Sequence, residues 1–278
     1  MLRKCLKHEF HATGRVMLPI YIAVLSLSVL THFALNVLAS DSKGLLNTLA
    51  GLTLALFIFG IIGACVGVVI LAVKRFYASF FSDEGYLTMT LPVSTHKLII
   101  SRLLVSIVWY ALTALVCIAS IFVMVMKSSD WNNFLSGFGE LMREIIKALP
   151  SLQSTTLTGI ILLAVEILLC MVLAMTLFSL FIYAAIAVGH SFNKSKKLLS
   201  VVFAFVFYHV SQIAAVIFGA GTIDLVVKKM TQGGYSIAEQ GFAPVNAGVG
   251  AGALYLVLAC AVFYFVTHFF ITKKLNLE

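Results

Sequence analysis

KRFYASFFSDEGYLTMTLPVSTHKLIISR, Lys74–Arg102, decides how the rest of this chain is read. It is the most polar long interruption between apolar runs that are each long enough to cross a bilayer. It carries the basic residues Lys74, Arg75, Lys97 and Arg102, the acidic pair Asp83 and Glu84, a Gly-Tyr and a Leu-Pro. Short loops rich in Lys and Arg stay on the cytoplasmic side of a membrane. The stretch therefore reads as a structured cytoplasmic loop, placed to receive a push from a soluble partner. Phe76, Tyr77, Phe80 and Phe81 recur at helical spacing, which predicts an amphipathic surface helix at its start. Pro92 breaks regular structure. Ser94 or Thr95 then caps a helix leading into the next span.

Working outward, hydropathy predicts six spans: Val16–Ala39, Leu49–Val73, Leu103–Met126, Gly159–Gly189, Leu198–Gly221 and Gly248–Ile271. Composition agrees. The 278 residues are 61% hydrophobic and only 11% charged, with a mean hydropathy of +1.07. Soluble domains carry about 25% charged residues, and so few charges cannot cover a water-soluble surface. The expected class is an all-α, multi-pass integral membrane protein forming one transmembrane domain over 1–278. The net charge of +8 belongs to span ends and lipid headgroups, not to nucleic acid. The first apolar run is too long for the core of a signal peptide and reads as a retained span, with Pro19 in its first turn.

Residues 1–15, MLRKCLKHEFHATGR, predict a basic amphipathic helix lying in the membrane interface. Leu2, Leu6, Phe10 and Thr13 share one face, while Arg3, Lys4, Lys7, His8 and His11 lie mostly on the other. The His8-Glu9-Phe10-His11 run lacks the spacing that sets two imidazoles one turn apart and reads as a solvated polar face. No metal site is expected. The five cysteines are widely spaced and read as small buried hydrophobes. Gly63 and Gly67 form a G-x-x-x-G that permits close helix approach. Asn132–Leu149 predicts an amphipathic helix ended by Pro150, and Asp224–Met230 a turn or two of helix.

Lys and Arg counts give the orientation. Arg3, Lys4, Lys7, Arg15, Lys74, Arg75, Lys97, Arg102, Lys194, Lys196, Lys197, Lys273 and Lys274 number thirteen on one side. Lys43, Lys127, Arg143, Lys147, Lys228 and Lys229 number six on the other. Both termini, the Lys74–Arg102 loop and His190–Lys197 are expected in the cytoplasm of a cell-membrane protein.

Catalytic signatures are missing. There is no P-loop, H-E-x-x-H or G-x-S-x-G in the sequence, so no enzyme activity and no bound cofactor is expected of this chain. LSGFGE, Leu135–Glu140, superficially matches an ATPase signature but stands alone in an outer loop. Glu166 is the one carboxylate inside a predicted span. Intramembrane carboxylates are costly and functional by default: a proton relay, a cation site or a polar bond between helices. If the span begins later, Glu166 instead sits near the outer interface. His32, Asn36, His209, Gln212 and His268 read as hydrogen-bonding residues between helices.

LKHEFHATGRVMLPIY (Leu6–Tyr21) and FSDEGYLTMTLPVSTHKLIISRLL (Phe81–Leu104), set within six spans, resemble the membrane subunits of ABC transporters of the ABC-2 type, the type V exporter fold, from Gram-positive bacteria. The resemblance covers essentially the whole chain. It implies a permease without its own ATPase, moving a hydrophobic or amphipathic substrate (peptide, antibiotic or lipid-like). ATP and Mg would be held by a separate ATP-binding subunit, and a second permease subunit would complete a homo- or heterodimer. It assigns Asp83, Glu84, Gly85, Tyr86 and Pro92 to coupling with the ATPase, and Arg3, Lys4, Lys7 and Phe10 to the surface helix. The modest Asp224–Asn246 segment departs from family members with elaborate outer gates. Two alternatives stand beside it: a gradient-driven carrier using Glu166, and a non-transporting sensor or assembly protein.

Overall fold

The computed structural model describes residues 2–38, 45–82, 85, 90, 94–125, 128–148, 154–192, 195–232 and 243–273. The long elements are helices: α1 (Leu2–Phe33, closing in a π-helical turn Ala34–Leu38), α2 (Leu45–Phe81), α3 (Thr95–Val125), α4 (Ser128–Ala148), α5 (Ser154–Gly189), α6 (Lys196–Gln232) and α7 (Ala243–Lys273). Among the described residues, six of these, all but α4, are long and apolar enough to cross a membrane. The architecture is that of a helical multi-pass membrane protein, because a backbone in hydrocarbon must satisfy its hydrogen bonds internally.

Each predicted span falls on one helix, and each helix runs past at least one predicted end. Residues 2–15 continue into the first span as one helix, so they are not a separate surface element. Pro19 consequently lies inside α1 rather than in a first turn, a placement membrane helices tolerate. The π-helical turn has a local cause. Asn36 Nδ2 donates to the His32 carbonyl at 2.9 Å, occupying the acceptor an α-helix would offer Asn36's own N–H. Likewise α2 does not stop at Lys74 and Arg75. It runs on to Phe81, so Phe76 and Phe80 are the last turns of a span and not a surface helix; both are fully buried. Asp224–Met230 is the end of α6, where an exposed Asp224–Lys228 pair at 2.8 Å spans one turn.

The contacts divide the chain into two compact units. The first is Met1–Arg75 with Ile100–Ile145. Its core is Met17, Tyr21, Val68, Val105 and Trp109, with Leu6 and Phe10 packed against it. A second cluster joins Val24, Phe57 and Ala64. Hydrogen bonds cross-link α1 and α3: Trp109 Nε1 donates to Thr13 Oγ1 at 2.7 Å, and Tyr21 Oη meets Thr113 Oγ1 at 2.7 Å. The close approach of α2 to α1 is at Gly60, where a Cβ would stand 3.3 Å from Leu27. It is not at Gly63, which faces open space. Phe122 and Phe134 rings, 5.1 Å apart, seat the start of α4 on the end of α3.

The second unit is Phe76–Ile99 with Ile146–Glu278. α5 and α7 run side by side in the same direction. The Gly159 carbonyl accepts from Asn246, the Leu173 carbonyl from Cys260, and Phe181 meets Phe263 edge-on. α6 runs antiparallel to α7, with Tyr255 Oη donating to the Ser211 carbonyl at 2.6 Å and Phe207 against Phe263. The α5–α6 turn is tight: Ser195 takes a left-handed backbone (φ 55°), and Gly189 lies directly against the Ser200 backbone.

Candidate functional site

Glu9 is the residue the sequence placed wrongly. It is not part of a solvated face: it is only 4% exposed, while His8 and His11 are exposed. Its carboxylate pairs with Arg102, and Arg75 Nε lies 3.9 Å from its other oxygen. Those two arginines bracket the 76–99 segment in the sequence, so one carboxylate on α1 gathers the end of the first-unit part of α2 and the start of the first-unit part of α3. The Glu9 carbonyl also accepts from Thr13 Oγ1 at 2.7 Å, and Thr13 receives the Trp109 indole. Ionic and neutral hydrogen bonds thus form one continuous α1–α3 seam.

Of the expected surface-helix residues, Arg3, Lys4 and Lys7 are exposed, and Phe10 is half-buried with its ring 6.3 Å from Trp109. Of the expected coupling residues, Asp83, Glu84, Tyr86 and Pro92 lie outside the described residues. Gly85 is buried; its N–H donates to the Ser82 carbonyl at 2.7 Å, and a Cβ there would stand 3.0 Å from the Phe80 carbonyl. Gly85 therefore lies directly against the last turn of α2, where only glycine fits without displacement. At the far end of the segment, the Ser94 carbonyl accepts from Lys97 N at 2.9 Å and Leu98 N at 3.3 Å, so Ser94 occupies the N-cap position expected of it.

Within the second unit, the aromatic run of the segment packs onto the α5 end. Phe76 stacks flat on Tyr183 at 3.9 Å, and Tyr77 and Phe81 face the buried His190 at 5.2 and 4.7 Å. Burial holds the His190 imidazole below its usual pKa and nearby Lys196 and Lys197 push the same way, while its bond to the Ile186 carbonyl opposes them. His96 stacks on His268 at 3.8 Å and meets Tyr264 Oη at 2.6 Å, so His268 meets α3 by ring stacking. His32 makes the expected bond between helices, to the Met124 carbonyl at 3.2 Å. His209 and Gln212 are exposed instead. Glu166 is half-buried and directed at α7: Oε1 lies 3.6 Å from where a Gly250 Cβ would be, and Oε2 is buried.

Two signals for the Glu9 cluster were in the sequence. Glu9 lies seven and three residues after Leu2 and Leu6 and four before Thr13, so it shares their face. A carboxylate on an apolar face calls for a cation, and Arg75 and Arg102 stand at adjacent span ends. Comparison with models of known families, with curated proteins and with solved structures finds no match.

Proposed function

We propose that the chain is the membrane-spanning permease subunit of an ATP-driven exporter of the ABC-2 type, moving a hydrophobic or amphipathic substrate while a separate subunit hydrolyses ATP. The observation that carries this reading beyond sequence resemblance is the hold of Glu9 on Arg75 and Arg102. A segment that receives mechanical force needs firm anchorage at both ends, and a buried ion pair gives geometry that a surface pair does not. In this reading, ATPase closure displaces residues 76–99, and the arginines pass the displacement to α1, α2 and α3 together. Asp83, Glu84, Gly85 and Tyr86 meet the ATPase, a second permease subunit completes the path, and Mg-ATP binds only on the partner.

The test is affinity purification of the tagged chain from its native host in mild detergent, followed by mass spectrometry and an ATP-hydrolysis assay, with Glu84→Lys in parallel. The expected result is an ATP-binding subunit retained by the native chain and lost with Glu84→Lys. Preparations free of any ATPase across several detergents would sink the permease reading.

A further inference from the structure

α4 has two faces. Phe134, Phe138 and Met142 recur one turn apart with Leu135 beside them, while Ser136, Glu140, Arg143 and Glu144 take the opposite arc. All of these side chains are exposed. A contiguous exposed apolar face marks an interaction surface, and the end of α3 fixes the level at which this one lies. α3 is apolar enough to cross a membrane and ends at Val125; α4 starts at Ser128. Phe122 lies one turn inside the end of α3, and it is the ring that Phe134 meets at 5.1 Å. Phe138 then stacks on Phe134, with planes 19° apart. The apolar face of α4 is therefore turned back toward the level at which α3 leaves hydrocarbon.

Three constraints leave one place for such a helix. Glu140, Arg143 and Glu144 are too costly to bury in hydrocarbon. Phe138 and Met142 stay 53% and 37% exposed beside α3, and water disfavours them. The start of α4 is held at the last turn of α3, and the chain enters its next span at Thr158. A helix lying along the membrane boundary satisfies all three, with its apolar arc toward acyl chains and its polar arc toward water. The 21 residues of α4 then run about 30 Å over the surface. Charge narrows the kind of surface. Asp130, Glu140 and Glu144 outnumber Arg143 and Lys147 within 128–148, so attraction to anionic headgroups is not what holds this helix. Its apolar side chains do, and a zwitterionic leaflet suffices.

We infer that α4 is a lipid anchor whose Phe134–Phe138–Met142 face inserts into the leaflet at which α3 ends. The inference holds for either orientation of the chain and with or without an ATPase partner. The test uses the full chain with its five native cysteines replaced, in phosphatidylcholine nanodiscs, where both bilayer faces are open to solvent. Phe138→Cys, Met142→Cys and Ser136→Cys each carry an environment-sensitive fluorophore. Nitroxide-bearing lipids quench from the membrane side and iodide from water. At 138 and 142 the expected result is strong quenching by the lipids, protection from iodide, and a depth of about 5–10 Å below the headgroups. At 136 iodide quenches and the lipids do not. The unsubstituted chain gives a second readout: phosphatidylcholine with a photoreactive acyl chain should label residues 134–142 on illumination. Iodide quenching at 138 and 142 equal to that at 136 would overturn the inference by placing α4 in water. Protection of 138 and 142 from both quenchers would also overturn it, since protein, a second copy or another chain, would then cover the face. So would photolabelling of α3 that spares α4.

Discussion

Glu9 is where electrostatics decides the local structure. A carboxylate 4% exposed beside two guanidiniums is stable only while its partners remain; removing one member of such a pair leaves a buried charge uncompensated. Glu9→Gln is therefore expected to destabilise the protein by about 3–5 kcal/mol, read as a lowered thermal midpoint in detergent. Arg102→Met should cost more than Arg75→Met, because Arg102 makes the closer contact with the carboxylate. The paired variant Glu9→Leu with Arg102→Met should be more stable than either single change, since no charge is then stranded. A double variant weaker than both singles would mean that packing, not charge, governs the site. The failure to read Glu9 from sequence has a definite reason. Residue polarity assigned it to the wet side of the helix, whereas its spacing from Leu6 and Thr13 put it on the dry side, and the arginines that make this affordable are distant in sequence.

At the scale of elements, hydropathy located six helices because twenty or so apolar residues carry their own signal. It misplaced their ends because a helix ends where hydrogen bonding ends, not where hydrocarbon does. Lys74 and Arg75 mark a change of solvent, yet nothing in RFYASFF breaks a helix, so α2 continues to Phe81 and stacks Phe76 on Tyr183. The direction of α5 toward α6 was hidden for another reason: it depends on one glycine meeting a backbone ten or so residues away. A Cβ on Gly189 would stand 2.5 Å from both N and Cα of Ser200. Neither helix can yield there without opening the hairpin. Gly189→Ala should cost about 3 kcal/mol. Gly137→Ala in α4, where a Cβ meets open space, should instead gain about 0.5–1 kcal/mol from helix propensity. Thermal unfolding of the two variants side by side checks the contrast, and equal effects would show that the hairpin flexes to admit the methyl.

For the whole molecule, the charge asymmetry of thirteen against six Lys and Arg residues predicts which face of the membrane each connection meets, through the preference of basic loops for the cytoplasm. Ser136 on α4 and Ser195 in the α5–α6 turn are both exposed, and α5 is the one helix long and apolar enough to span between them. In a chain with its five native cysteines replaced, Ser136→Cys should react with a membrane-impermeant maleimide on intact cells. Ser195→Cys should react only after permeabilisation. Reaction of both from outside would mean that α5 does not cross. The reverse pattern would place residues 76–99 on the side of the membrane that holds no ATP. Then no ATPase could reach the segment that Arg75 and Arg102 bracket, and the exporter proposal would fall on topology alone.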